Sequence, residues 1–200
     1  NLRKRLSDAG LSVAKGDPAL GFLLDEIKER ESSGYSYDTA QASFELLARR
    51  ALGQCPEFFE VKRYKVTVER RKNKYDKMIS LSEAVVVLKV DGEKKLSVSE
   101  SMDETGSDRG PVNALSKALA KDLGQYQDMI DDMRLVDFKV RITQGGTEAV
   151  TRVIIDSADS KGNRWSTVGA SPNIVDASFE ALLDAIQWKL IRDTGDNLNK

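Results

Sequence analysis

Apolar residues recur at helical spacing twice near the start of the chain, and the period then changes to two. Leu20, Leu23, Leu24 and Ile27 predict a helix, with Asp17 as its N-cap, Pro18 as its first residue and Gly34 as its stop. Ala40, Phe44, Leu47 and Ala51, with Ala48 alongside, predict a second helix capped by Asp38 and closed by Gly53. Together they form an αα-hairpin. Residues 1–17 carry no clear period and are expected to be irregular. After Pro56, Tyr64, Val66 and Val68 alternate with Lys65, Thr67 and Glu69, the pattern of a half-buried strand. "EAVVVLKV" predicts a second strand, Asp91-Gly92 a hairpin turn and "KLSVSE" the returning strand. "PVNALSKALAKDL" has helical spacing again.

The same order then recurs: strand "LVDFKVRI", a break at Gly145-Gly146, strand "EAVTRVII", turn "DSADSKGN", strand "RWSTVGA" and the amphipathic "NIVDASFEALLDAIQWKL". Three segments match in residues as well as in pattern. Tyr64-Lys65-Val66 parallels Phe138-Lys139-Val140. Glu83-Ala84-Val85 parallels Glu148-Ala149-Val150. Val112-Asn113-Ala114 parallels Val175-Asp176-Ala177. The expected class is therefore α+β: a short helical linker followed by two βββα units related by a pseudo-twofold axis. Ala84, Val86, Leu88 and Val90 lie on one face of their strand and Val85 and Val87 on the other. One helix per unit covers only one face. The other repeat, a second copy of the chain, or both must cover the rest, which is a reason to expect a homodimer.

Composition narrows the chemistry. The 200 residues include 31 basic and 32 acidic side chains, for a net charge of −1. Such a balance supplies no basic field for nucleic acid or an anionic membrane. The longest purely apolar run, Ala84 to Leu88, is far too short to span a bilayer. "NLRKRLSDAG" lacks the apolar segment of a signal peptide, and without an initiator Met the expectation is a piece of a longer chain. The single Cys55 fits a reducing, cytoplasmic compartment. With no histidine, Ser-His and Cys-His catalysis and histidine metal sites are excluded from these residues. Asp103, Glu104 and Asp108 match no cation-loop spacing. Trp165 and Trp188 are expected as core anchors.

Each repeat sets a proline at the start of its helix, in Gly110-Pro111 and Ser171-Pro172. Helix N-termini offer unpaired N–H groups and partial positive charge, which suit a carboxylate. Gly110 permits close approach of a ligand to the backbone. Val112, Ile174, Leu135, Phe138 and Ile142 lie nearby in the pattern. A carboxylate cradle beside apolar residues fits a small branched amino acid; ordinary capping and core packing is the competing reading.

These residues resemble a known family. "GYSYDTAQASFELLARRALG", "FFEVKRYKVTVERR", "GPVNALSKAL", "MRLVDFKVRI" and "STVGASPNIVDASFEALLDAIQWKL" look like the C-terminal part of the 2-isopropylmalate synthase family, most of all its citramalate synthase branch. The resemblance runs from about Pro18 to Leu190. It implies a non-catalytic fragment: a linker over residues 1–56, an allosteric dimer domain over 57–192 built from units 57–124 and 133–192, and a tail over 193–200. It also implies a homodimer that binds a branched-chain amino acid, isoleucine or leucine. By the same resemblance the effector contacts are Gly110, Pro111, Val112, Asn113, Leu135, Phe138, Ile142, Ala170 and Pro172. No cofactor or metal is expected here; the divalent metal and acetyl-CoA belong to the absent catalytic barrel. Asp108 replaces the family's usual glycine, and Phe138 its usual tyrosine. Three readings follow: an isoleucine-binding regulatory domain, a leucine-binding one, or a dimerisation module without a working effector site.

Overall fold

In the computed structural model, which describes residues 2–103, 110–143 and 149–198, the chain opens with a helix that its periodicity does not predict. This helix, α1 (Leu2–Asp8), has only two apolar residues at helical spacing. It forms because Leu6, with Leu11 just after it, is buried among Leu23, Ile27 and Phe44. Burying such side chains is worth about 2 kcal/mol each, enough to order one short helix that propensity alone would leave frayed.

The hairpin forms as its punctuation predicts, with one correction. In α2 (Pro18–Ser32) the Asp17 carboxylate accepts from the Ala19 N–H at 2.9 Å. The helix closes with Tyr35 N–H on the Arg30 carbonyl and Gly34 N–H on the Glu31 carbonyl, the paired bonds of a Schellman stop. The same pair, Gln54 to Arg49 and Gly53 to Arg50, closes α3 (Gln41–Ala51). Asp38 does not cap α3. Ala40 is the N-cap and makes no side-chain bond, while the Asp38 carbonyl receives the Gln41 side-chain amide. Ala40 is itself fully buried, so tertiary packing replaces the cap.

The chain divides into two compact units, Asn1–Pro56 with Asp132–Lys200, and Glu57–Asp131. The second is a βββα unit: strands β1 (Phe59–Lys72), β2 (Met78–Val90) and β3 (Glu93–Asp103) in antiparallel order, then α4 (Gly110–Leu119). A four-residue helix, α5 (Gln127–Ile130), completes it. Ala84, Val86, Leu88 and Val90 are buried on the face that α4 covers. On the opposite face Leu96 and Val98 remain exposed.

The first unit repeats that pattern in β4 (Arg134–Ile142), β5 (Thr151–Ala158), β6 (Arg164–Ser171) and α6 (Ile174–Leu198). The duplication extends to a backbone irregularity. The register of β1 shifts between Val61 and Arg63, and that of β4 between Leu135 and Asp137, each 74 positions on. This is the same offset that relates Tyr64 to Phe138. Bulges are specific local features, so two at equivalent places support the repeat independently of residue identity. The fold is thus α+β, with two three-stranded antiparallel sheets among the described residues. The helix α6 takes in residues 193–198, where a tail is expected from sequence.

The helices α1–α3 pack against this second repeat. Val168 and Ile154, on the face of the sheet away from α6, join the cluster of Leu6, Leu23, Tyr37 and Phe44. The other side of α3 buries Ala42 and Leu46 against Trp165, Ala185 and Trp188. The two tryptophans are core anchors, as expected, stacked with centroids 5.2 Å apart. α3 therefore lies along the free edge of β6, whose Val168 N–H donates to the Ser43 hydroxyl at 3.0 Å. An edge strand needs such a partner, because its outward N–H groups otherwise face water or another chain.

One cation fastens α6 to the ends of its sheet. Lys189 is 2% exposed, with Asp132 and Asp193 each at 3.0 Å and Asp159 at 3.5 Å. The Ser160 hydroxyl, seconded by Lys189, pulls the Asp132 carboxyl down to about 2 from its ordinary 3.8. A depressed carboxylate stabilises the fold above its unfolded value and loses that contribution as pH falls through the folded one. Unfolding free energy should therefore drop as pH falls from 3.8 toward 2. In Asp132→Asn, urea titrations across that window should show a shallower drop; an unchanged slope counts against the role given to Asp132.

Candidate functional site

The expected effector residues fall into three groups. The first, Gly110 to Asn113, opens α4 in the 57–131 unit. Gly110 has φ +72°, a left-handed conformation that side chains with a Cβ rarely adopt. Among the described residues beyond its own helix and chain neighbours, nothing lies within 4 Å of where its Cβ would stand. Pro111 and Val112 are half-buried. The Asn113 Oδ1 is shielded from solvent and accepts no hydrogen bond in the structure. A buried acceptor without a donor costs about 1–3 kcal/mol. Asp108 and Glu104 lie outside the described residues, as does the Gly145-Gly146 break.

The second group lies on β4. Leu135 is half-buried, whereas Phe138 and Ile142 are 38% and 70% exposed. Phe138 pairs with Ile155 and therefore shares the face that α6 covers, but α6 packs mainly on β5 and β6 of this sheet. The edge strand thus presents Phe138, Val140 and Ile142 as an apolar row beyond the helix.

The third group, Ala170 and Pro172, ends β6 and leads into α6. Pro172 leads into α6, which begins at Ile174. Asn173 is the cap: its Oδ1 accepts from the Val175 N–H at 2.9 Å, and its own N–H donates to the Ser171 hydroxyl at 3.1 Å. Asparagine is among the best capping residues, and a proline just before the cap directs the chain without competing for it. Ala170 and Pro172 border a cavity of about 610 Å³ also lined by Glu26, Arg30, Tyr35 and Glu180. Leu135, Phe138 and Ile142 do not line it.

Sequence spacing had given Arg30, Tyr35 and Glu180 no role at this loop. The Tyr35 hydroxyl reaches both Glu180 carboxylate oxygens at 2.7 Å. Arg30 lies 3.5 Å from Glu180 and 2.8 Å from Glu26. The Ala170 N–H faces the Glu180 carboxylate and favours its ionised form. Burial raises the Glu180 carboxyl above its ordinary value, and the Tyr35 bond only partly offsets this. Tyr35 itself is shifted upward by burial and by Glu180, so its hydroxyl stays protonated as a donor. The visible signal was the spacing of Glu180, Asp184 and Gln187 along one flank of a helix otherwise apolar toward its sheet.

That flank forms a continuous polar seam. One turn beyond Glu180, the buried Asp184 accepts from the Ser43 hydroxyl at 2.7 Å and from Arg50 at 2.9 Å. Burial holds its carboxyl above the usual range. The Gln187 amide then reaches Cys55 and the Pro56 carbonyl. Burial pushes the Cys55 thiol up as well, which fits a packing role and not a nucleophile.

A duplicated βββα fold with a helical lead-in and a loop before each repeat helix defines a class of α+β domain. The family model of the LeuA allosteric (dimerisation) domain matches residues 38–190, and the chain belongs to that family. It is 40% identical to an (R)-citramalate synthase of Geobacter sulfurreducens over 192 residues, covering 95% of this chain and 34% of that protein. It is 38% identical to an (R)-citramalate synthase of Aquifex aeolicus over 200 residues, covering 99% and 36%. A 2-isopropylmalate synthase of Methanocaldococcus jannaschii is 33% identical over 103 residues, covering 52% and 17%. The chain spans about a third of the length of the citramalate synthases it matches. No helix among the described residues is long and apolar enough to cross a membrane.

Proposed function

We propose that this chain is the feedback-inhibition domain of a cytoplasmic, acetyl-CoA-dependent citramalate synthase-like enzyme, and that its effector is isoleucine. The observation that carries this reading is the match to the LeuA allosteric domain together with near-complete coverage by citramalate synthases. The loops before α4 and α6 are its effector-contacting segments, each described within its own unit. The left-handed Gly110, the undonated Asn113 Oδ1 and the capped turn at Asn173 are the local features in its favour. A ligand ammonium is a suitable donor for Asn113. Phe138 supplies apolar contact without a hydroxyl. The active form is a homodimer. Its support is the apolar surface left open in the single chain, Leu96 and Val98 in one unit and Val140 and Ile142 in the other. Catalysis belongs to the parent enzyme, where acetyl-CoA and a 2-oxo acid are joined on a metal-bearing barrel.

Thermal unfolding with added amino acid is the test. Isoleucine at roughly 100 times its dissociation constant should add about 2.7 kcal/mol to stability, or several degrees for a chain of this size. Leucine at equal concentration should do less. A larger leucine shift transfers the reading to a 2-isopropylmalate synthase-type domain. No shift with either, in a chain that sediments as a dimer, leaves a dimerisation module alone.

A further inference from the structure

The loop that ends β6 and the turn between α2 and α3 are joined through one carboxylate. Glu180 lines one cavity with Ala170 and Pro172 and accepts from the Tyr35 hydroxyl beside it. Tyr35 immediately follows the Schellman stop of α2, and its ring stacks on Tyr37 at 6.1 Å. The same turn is held from the sheet, where Arg152 of β5 donates to the Gly34 and Tyr35 carbonyls. Val150 and Thr143 close around Gly34, so that a Cβ there would come within 2.8 Å of Val150. The turn therefore has little room to move unless the start of β5, which pairs with the end of β6, moves with it. Further along, Asp184 and Gln187 tie α3 and residues 55–56 to the same flank of α6.

We infer that Glu180 and Tyr35 are positioning residues that couple the state of the Ala170–Pro172 loop to the α2–α3 turn, an inference that rests on the effector reading of that loop. Displacing Ala170 alters the surroundings of the Glu180 carboxylate in that shared cavity. The Glu180 carboxylate is shared between Tyr35 and Arg30, so a change beside it redistributes those partners. Tyr35 passes that change to the end of α2 and the start of α3. The physical basis is differential: a ligand shifts the turn only as far as it favours one arrangement of the shared carboxylate over another.

Hydrogen exchange on the 200-residue chain, with and without isoleucine, tests this. In the wild type, isoleucine should slow exchange both in the 168–173 segment and in the 33–38 segment, each by about fivefold or more. Tyr35→Phe, which keeps the ring and removes the hydroxyl, should retain the first response and lose the second. Glu180→Gln should do the same, since the amide keeps its size but loses the shared charge. A 33–38 response that survives in both variants overturns the coupling. So does a Tyr35→Phe protein that loses both responses, because Tyr35 would then act at the ligand site itself. If isoleucine slows the 168–173 segment in the wild type but not the 33–38 segment, the effector reading stands and the coupling falls. If it slows neither, both fall together.

Discussion

Lys189→Met destabilises the chain by about 3 kcal/mol, because removing one partner of a buried ion cluster leaves its counter-charges uncompensated. For a chain of this size that corresponds to a fall of about 6–12 °C in Tm. The methionine matches the lysine stem in length and apolar character, so packing changes little. What changes is that Asp132, Asp159 and Asp193 lose the cation they share. Asp159 is nearly as buried as the lysine, and its remaining partners are neutral: the Lys161 N–H, the Asn163 N–H and the Asn163 side-chain amide. Part of the loss is screened because Asp132 is partly exposed, which is why the figure sits at the low end for buried pairs. Circular dichroism melts measure the shift. Adding Asp159→Asn to the Met variant should recover part of the loss, because it removes the most deeply buried orphaned charge. A single-variant change within about 1 kcal/mol, the range of an exposed ion pair, would show that solvent already screens the cluster.

Gly169→Ala has a comparable effect for a different reason. A Cβ at this position would stand 2.0 Å from the Ala177 carbonyl oxygen and 2.9 Å from its carbon. Both are helix backbone, so no side-chain rotation relieves the clash and α6 must move off β6. That movement strains the bond from the Thr167 hydroxyl to the Ala181 carbonyl at 2.7 Å, and the packing of Val153 and Ile155 beneath the helix. The expected cost is about 3 kcal/mol or more, the upper range for overpacking a close-packed interior. Gly195→Ala is the control within the same helix. Nothing lies within 4 Å of its added Cβ, so it should stabilise by about 0.5–1 kcal/mol through helix propensity alone. Urea denaturation of the two variants separates the readings: equal small effects would mean that the helix and strand can part at little cost.

The candidate site was only partly legible in the sequence. Gly110 and Pro111 open α4 as their spacing implies, since a local backbone requirement is written in local residues. In the companion loop the sequence reading set the proline at the helix start and did not single out the cap. A proline before a helix marks its approach but does not choose its first residue; the Asn173 side chain does so by bonding the Val175 N–H. Asp38 misled in the same way, because burial of Ala40 and Phe44 decides where α3 starts. Glu180 read as one polar residue on an amphipathic helix, and only its meeting with Tyr35, 145 positions earlier, gives it a role.

The sequence by itself determined the duplicated βββα order, the hairpin turn at Asp91-Gly92 and the Gly34 and Gly53 helix stops. These follow from periodicity, turn chemistry and backbone conformation, all set by neighbours a few residues apart. Tertiary structure alone decided that α1 is a helix, that α3 covers the edge of β6, and that one lysine gathers acidic residues from positions 132, 159 and 193. Those outcomes depend on which groups are removed from water together, and burial brings together residues that no short-range pattern connects.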